Sequence, residues 1–320
     1  MTKRKLIITQ DLNPKQLQQI TGIVPGWEVI AGRDKSVWQN HLKDAEVIAG
    51  WKKEIAEHCL TPQSKLRWVQ TWSAGVNNTP LQILEEKGIL LTSANGVHAF
   101  PISETIFALM LGLTRKIHTY VKNQTKKKWH HADMKLEIHG KTIGVIGVGA
   151  IGQETAKIAK AFGMTVLGVR HSGKSADFVD EMYTSDQLDL VLPQCDYVVV
   201  TLPLTKETRH LFKYSQFKIM KRSAFFINIG RGEIVAEEDM IEALQNEEIA
   251  GAGLDVFEKE PLGEKSALWG FENVIITPHT SGSTEYYNKR LIETILIPNL
   301  KHYQAGEIPS VNLVSYEKGY

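Results

Sequence analysis

The chain has 320 residues, which at roughly 100–200 residues per domain suggests two domains. Apolar residues make up 42% and charged residues 23%, so whole-chain disorder is excluded. Lysines and arginines number 37 against 36 aspartates and glutamates, a balance that leaves no basic footprint for DNA or RNA.

The N-terminus, MTKRKLIITQDLNP, begins basic, but Leu6–Ile8 is far too short for the apolar segment of a signal peptide and reads as a first strand. No run approaches the ~18 apolar residues of a membrane span. Two cysteines, Cys59 and Cys195, cannot build a disulfide framework. No Cys/His cluster has the spacing of a metal site. A reducing, cytoplasmic setting is expected, with neither membrane nor nucleic acid as partner.

Through residue 97, short apolar runs alternate with polar helical stretches. The runs are Leu6–Thr9, Val47–Gly50, Trp68–Thr71 and Ile89–Leu91; helical spacing marks Pro14–Ile20 and Pro80–Lys87. Such alternation implies a parallel sheet covered on both faces. Ile102–Arg115 is apolar almost all round and reads as a buried helix, with Ser103 or Ser93 able to cap nearby turns. Lys122–His131 reads as a polar loop, its lysine run a solvated surface.

From Thr142 the alternation strengthens. Strands are expected at Ile143–Val148, Thr165–Val169, Tyr197–Thr201, Ala224–Ile229, Gly251–Val256 and Val274–Thr277. Helices are expected at Ile151–Phe162, Asp186–Leu192, Ser215–Met220, Glu237–Asn246 and Glu285–Ala305. The pattern is a doubly wound α/β sheet, and the last helix is too short to fold alone, so it returns to the first domain. The boundaries drawn are residues 1–97 with 284–320, and residues 98–283.

Gly147-Val148-Gly149-Ala150-Ile151-Gly152 follows a strand and opens an amphipathic helix, the context a dinucleotide-binding GxGxxG requires. Gly147 permits the tight turn, Gly149 the approach of a pyrophosphate, and Gly152 close helix–strand packing. The helix N-terminus then favours the negative charge. The second strand ends in Arg170-His171-Ser172, with Arg170 twenty-three residues after Gly147, where an NAD enzyme places a carboxylate. A guanidinium attracts a 2′-phosphate, and Ser172 and Lys174 add donors. NADP(H) is therefore the expected cofactor, with NAD(H) the alternative.

Three further segments sit at strand ends of the same half: Asn228–Gly232, Leu254–Pro261 and Thr277–Gly282. An arginine, an acid and a histidine there suit reduction of a 2-oxo acid. With SAGVN at Ser73–Asn77 and TLPLTKETRHLF at Thr201–Phe212, these segments give the chain a close resemblance to the D-isomer-specific 2-hydroxyacid dehydrogenase family, over most of its length. The resemblance implies two doubly wound parallel-sheet domains: a Rossmann dinucleotide-binding domain inserted into a flavodoxin-like substrate-binding domain. It also implies a homodimer built on the inserted domain and a small-molecule 2-oxo or 2-hydroxy acid as substrate.

Residue by residue, the resemblance implies that Arg231 grips the substrate, that His279 is the general acid, and that Glu260 orients the imidazole. Glu258, two residues away, competes for that last role. A carboxylate beside an imidazole favours its protonated form, which suits reduction. Asp255 is matched to a nicotinamide contact. The implied cofactor-binding set further includes Ala150, Ile151, Leu202, Pro203, Thr208, Ile229, Gly230 and Gly282. Ala74, Gly75 and Val76 are matched to a turn that holds the substrate carboxylate, and Trp51 is a candidate pocket residue. Trp72, Trp129 and Trp269 are expected in the core, and His98, His130 and His131 carry no assigned role. Asn77 stands where the family often has Asp.

The expected function is NADPH-preferring reduction of a glyoxylate- or hydroxypyruvate-type acid to the D-2-hydroxy acid. A phosphoglycerate dehydrogenase is less expected, because no sequence is left for the regulatory domain many of them carry. A formate dehydrogenase would have Gln at position 260. The alternative is a corepressor-like dinucleotide sensor of the same family with little turnover.

Overall fold

The computed structural model describes residues 3–76, 78–131 and 135–317; Asn77 lies outside them. The chain divides into two compact units. One joins the residues up to Val97 to those from Thr284 onward, and the other runs His98–Ser283.

The first unit carries five strands: β1 (Lys5–Ile8), β2 (Glu28–Ala31), β3 (Val47–Ala49), β4 (Trp68–Gln70) and β5 (Leu90–Thr92). All pair in parallel, in the order β2-β1-β3-β4-β5, the flavodoxin-like order. The Pro14–Ile23 helix starts where Asn13 and Gln16 form a reciprocal capping box and Pro14 pre-sets the first turn.

The apolar strands bury both faces, as a parallel sheet must. Leu6, Ile8, Val47, Ala49 and Trp68 pack with Leu291, Ile292, Ile295, Leu296 and Leu300 of the C-terminal segment. Ile7, Ile48 and Val69 pack with Trp38, Leu42, Leu84 and Leu91 on the other side.

That C-terminal segment is helical over Tyr287–Leu291 and Ile297–Gln304, joined by a π-turn at Ile292–Leu296. Pro298 has no N–H to donate, and the wider turn before it absorbs the missing bond. The fully buried Asn299 then clamps the tail, exchanging two 2.9 Å hydrogen bonds with the Val311 backbone.

The second unit carries seven strands: β6 (Thr142–Ile146), β7 (Thr165–Val169), β8 (Glu181–Tyr183), β9 (Tyr197–Val200), β10 (Phe225–Asn228), β11 (Gly251–Leu254) and β12 (Val274–Ile276). They form one parallel sheet in the order β12-β11-β10-β9-β6-β7-β8, so the order reverses between β6 and β9. That reversal is the switch point beside which doubly wound sheets bind ligands. The Ala99–Thr114 helix lies in the core, with Ile106, Leu109, Met110 and Leu113 against Ile143, Val145, Val199 and Ile227.

Several sequence expectations are corrected. Ser103 is no cap: it lies inside the Ala99–Thr114 helix and donates to the Phe100 carbonyl at 2.8 Å, while His98 holds the cap position. Lys122–Thr125 is not loop but the last turn of a helix, Ile117–Thr125, because lysine and glutamine continue a helix readily. Asp186–Leu192 is no single helix; a 3-10 turn at Ser185–Gln187, one α-helical turn at Leu188–Val191 and a second 3-10 turn at Leu192–Gln194, which contains Pro193, replace it. Trp129 is 98% exposed and Trp269 55% exposed, so neither is core. The Trp269 indole instead donates to the Gly263 carbonyl at 3.0 Å.

Cys59 and Cys195 are free and buried, and burial pushes both thiols up to about 12. Among the described residues no helix is long and apolar enough to cross a membrane.

Candidate active site

The glycine-rich turn after β6 is built by close approach. Gly147 has φ +111°, and a Cβ there would fall 2.9 Å from the Leu202 nitrogen. A Cβ at Gly152 would lie 2.5 Å from the Gly147 carbonyl oxygen. At Gly149 the result is opposite: a Cβ would enter open space. Gly149 is the N-cap of the Ala150–Ala161 helix and makes no side-chain capping bond, so Ala150 and Ile151 begin a helix end facing that space. The Thr201 hydroxyl, at the end of β9, fixes the turn by donating to the Gly147 carbonyl at 2.6 Å.

Arg170 follows β7 directly, and its backbone N–H donates to Tyr183 at 2.9 Å. His171 and Ser172 form the exposed turn behind it. Leu202 and Gly230 meet where β9 and β10 end: a Cβ on Gly230 would fall 2.7 Å from the Leu202 carbonyl oxygen. Thr208 closes the loop after β9, accepting from the Thr205 N–H at 2.7 Å and donating to the Pro203 carbonyl at 2.8 Å.

The next turn, Ile229–Gly232, is shaped by Asn228. Its side chain accepts from the Gly230 N–H and donates to the Arg231 carbonyl, both at 3.1 Å. Arg231 is exposed, and its Nη1 donates to the Gly230 carbonyl at 2.7 Å. In the sequence, the signal for this role is an Asn at a strand end ahead of Gly-Arg-Gly.

Asp255, after β11, is fully buried, and its hydrogen bonds go to the loop after β12. It accepts from the Thr277 hydroxyl at 2.6 Å and from the Thr280 and Ser281 N–H groups at 3.0 Å. His279 sits in that loop at φ +52°, a conformation rarely adopted outside glycine. Its Nδ1 lies 2.8 Å from Glu260 Oε2, while the other Glu260 oxygen accepts from the Phe257 N–H at 3.1 Å. Glu258 points elsewhere, its carboxylate 2.7 Å from His210 Nε2. The Gly282 carbonyl contacts His98 Nδ1 at 2.9 Å.

The remaining candidates belong to the first unit. Val76 is buried in the core, whereas Ala74 and Gly75 are exposed. Trp51 is half-buried, with its indole nitrogen buried and finding no acceptor among the described residues.

The cradle suits a dinucleotide: two glycines close the turn, a third leaves room, and a helix N-terminus faces that room. With an arginine, a carboxylate and a histidine on neighbouring strand ends, the second unit has the parts of a nicotinamide-dinucleotide-dependent oxidoreductase. Residues 107–281 match the family model described as D-isomer specific 2-hydroxyacid dehydrogenase, NAD binding domain. The chain is 37% identical over 249 residues to glyoxylate/hydroxypyruvate reductase B of Salmonella schwarzengrund, covering 76% of each. It is 31% identical to the glyoxylate reductase of Korarchaeum cryptofilum, over 98% of this chain and 97% of that one. Among solved structures it resembles the NADPH-dependent glyoxylate/hydroxypyruvate reductase of Sinorhizobium meliloti, determined with NADP and sulfate. The TM-score is 0.81 at 28% identity, over 99% of this chain and 100% of the other. The chain belongs to the D-isomer specific 2-hydroxyacid dehydrogenase family.

Proposed function

We propose that this protein reduces a small 2-oxo acid, of the glyoxylate or hydroxypyruvate type, to the D-2-hydroxy acid, with NADPH preferred over NADH. The observation that carries the chemistry is the 2.8 Å contact between His279 Nδ1 and Glu260. A carboxylate on Nδ1 keeps the proton there and leaves Nε2 to deliver its own. The three reductases named above supply the substrate class.

Arg231 binds the substrate carboxylate with its planar fork and polarises the adjacent carbonyl. His279, protonated on both ring nitrogens, gives the Nε2 proton to the carbonyl oxygen and ends neutral. Glu260 holds the ring in place, and Asp255 holds the backbone that carries it. Gly147, Gly149 and Gly152, with Ala150 and Ile151, receive the pyrophosphate; Arg170, His171 and Ser172 receive the 2′-phosphate. Bound there, the dinucleotide supplies the hydride that the carbonyl carbon accepts. Leu202, Pro203, Thr208, Ile229, Gly230 and Gly282 complete the cofactor side. In the first unit, Trp51 and the Ala74–Val76 turn are the residues assigned to substrate binding by the family resemblance.

The preference for NADPH rests on Arg170 standing where a carboxylate would repel the extra phosphate. The test follows absorbance of the reduced nicotinamide with NADPH or NADH and glyoxylate, hydroxypyruvate, pyruvate or a branched 2-oxo acid. NADPH consumption with glyoxylate or hydroxypyruvate, much slower with NADH, is expected. Binding of NADPH without turnover on any of the four would remove the reductase reading.

A further inference from the structure

We propose that His210 is a positioning residue for the acid: through Glu258 it holds the Phe257–Glu260 segment, and so fixes the carboxylate that orients His279. The proposal rests on the role given to His279 above.

One short segment sends two carboxylates to two histidines, Glu260 to His279 and Glu258 to His210. The Glu260 carboxylate takes one of its hydrogen bonds from the Phe257 N–H, so its position depends on the backbone at Phe257. The peptide on the other side of Phe257, which leads into Glu258, is wedged against Gly232. A Cβ at Gly232 would fall 1.8 Å from the Phe257 carbonyl carbon, so only glycine fits beneath it. From the side, Glu237 accepts the Glu258 N–H at 3.2 Å. His210 supplies the third restraint, at 2.7 Å from the Glu258 carboxylate.

His210 is itself rigidly mounted. It sits at φ +49°, its N–H donates to the Glu233 carbonyl at 2.8 Å, and Phe212 pairs with Val235 just beyond. A non-glycine residue kept in that conformation is one the surroundings over-determine, and such positions cluster where geometry matters for function. The charged groups around it are Glu258, the Arg209–Glu233 pair at 3.9 Å, and Glu237 behind the Glu258 amide. Thr208, on the cofactor side, lies two residues before it. His210 thus joins the loop after β9 to the loop that orients the acid. A side-chain contact this exposed adds little to stability, so its effect belongs in the chemistry rather than in Tm.

The experiment uses the full chain carrying His210→Ala, His210→Gln or Glu258→Gln, with NADPH and glyoxylate. His210→Ala is expected to lower kcat about tenfold or more, the scale of a small misplacement of a catalytic group. NADPH Kd should stay within about twofold, since the glycine cradle is untouched, and the pH profile of kcat should shift. His210→Gln, which can still donate to Glu258, should recover most of the rate. Equal losses of kcat and NADPH binding, or an unmoved pH profile, overturn the proposal. A second readout needs no turnover: the ring-nitrogen NMR signals of His279. Loss of the Nδ1 signal bonded to Glu260 in His210→Ala supports the proposal, and its retention overturns it. Wild-type enzyme that turns over no 2-oxo acid would defeat the reductase reading alone, leaving the NMR comparison to judge His210.

Discussion

Asp255 carries His279 on its backbone: its carbonyl accepts the histidine N–H at 2.8 Å, and its buried carboxylate holds Thr277, Thr280 and Ser281 around it. A carboxylate is the side chain that can accept from several donors at once without supplying one. Asp255→Asn turns one of those oxygens into a donor facing donors. Stability should fall by about 1–3 kcal/mol, the cost of unsatisfied buried groups. The rate should fall with it as the His279 loop loosens. Denaturant midpoints and kcat measured together check this; an unchanged midpoint would show that the bonds to Asp255 are dispensable.

His279 occupies a left-handed backbone position that costs a non-glycine residue about 1–3 kcal/mol. Asn tolerates that region better than His does. His279→Asn should therefore lose about 10²–10⁴ in kcat, the range for removal of a general acid, while Tm holds or rises. A Tm several degrees lower would mean that the imidazole supports the fold.

Gly149 and Gly152 separate two functions of one turn. Gly152→Ala forces a methyl group to within 2.5 Å of a backbone oxygen, so it should destabilise by about 1–3 kcal/mol, as overpacking does. Gly149→Ala meets open space in the protein and should leave Tm alone. Dinucleotide affinity should nevertheless weaken about tenfold or more, or roughly 1.4 kcal/mol. Calorimetric titration and thermal melts of the pair would decide it. Equal melting losses would refute the division.

Arg170→Asp should reverse the cofactor preference, with the NADPH/NADH ratio of kcat/KM falling below one. The carboxylate would repel the 2′-phosphate and accept from the ribose hydroxyls of NADH instead. A ratio that stays put would assign the preference to other residues.

Asp180 provides a pH-dependent contribution in the second unit. Lys160 binds both of its oxygens, at 2.8 and 2.9 Å, and the Val166 N–H adds a third bond at 2.7 Å. The lysine first, then the backbone bond, holds this carboxyl below its ordinary range. The stabilisation is therefore complete above the unfolded value of about 3.9 and is lost as pH falls through the lower folded value. Asp180→Asn should lower Tm at neutral pH, and its gap from wild type should narrow below about pH 4. A gap independent of pH would point to the Val166 bond alone.

The strands that sequence reveals are those buried on both faces, such as Tyr197–Val200 and Phe225–Asn228, where apolar runs are unbroken. The edge strands Glu28–Ala31 and Glu181–Tyr183 escape notice because they are short, begin with a charge and are partly exposed. The GxGxxG turn was legible because its spacing is set by local contacts. Glu260 was legible over Glu258 as the carboxylate directly before Pro261, and it is the one that meets His279; that Glu258 turns to His210 shows only in the fold. Likewise, His210 lies inside the quoted Thr201–Phe212 segment, but sequence does not show its partner, which is 48 residues away. The exposed tryptophans misled for the opposite reason: aromatic composition predicts burial on average, and Trp129 is an exception.

The five apolar side chains from Leu291 to Leu300 that pack on the first unit's sheet are among the last of its core to leave the ribosome, with Val314 behind them. Residues 98–283 are synthesised in between, which at about 5–20 residues per second takes on the order of ten seconds or more. During that interval one face of the nascent sheet has only part of its cover, from residues such as Ile20 and Val24. The inserted unit, which contains its whole core, has no such wait. In a cell, demand for a chaperone should therefore fall on the first ninety-seven residues.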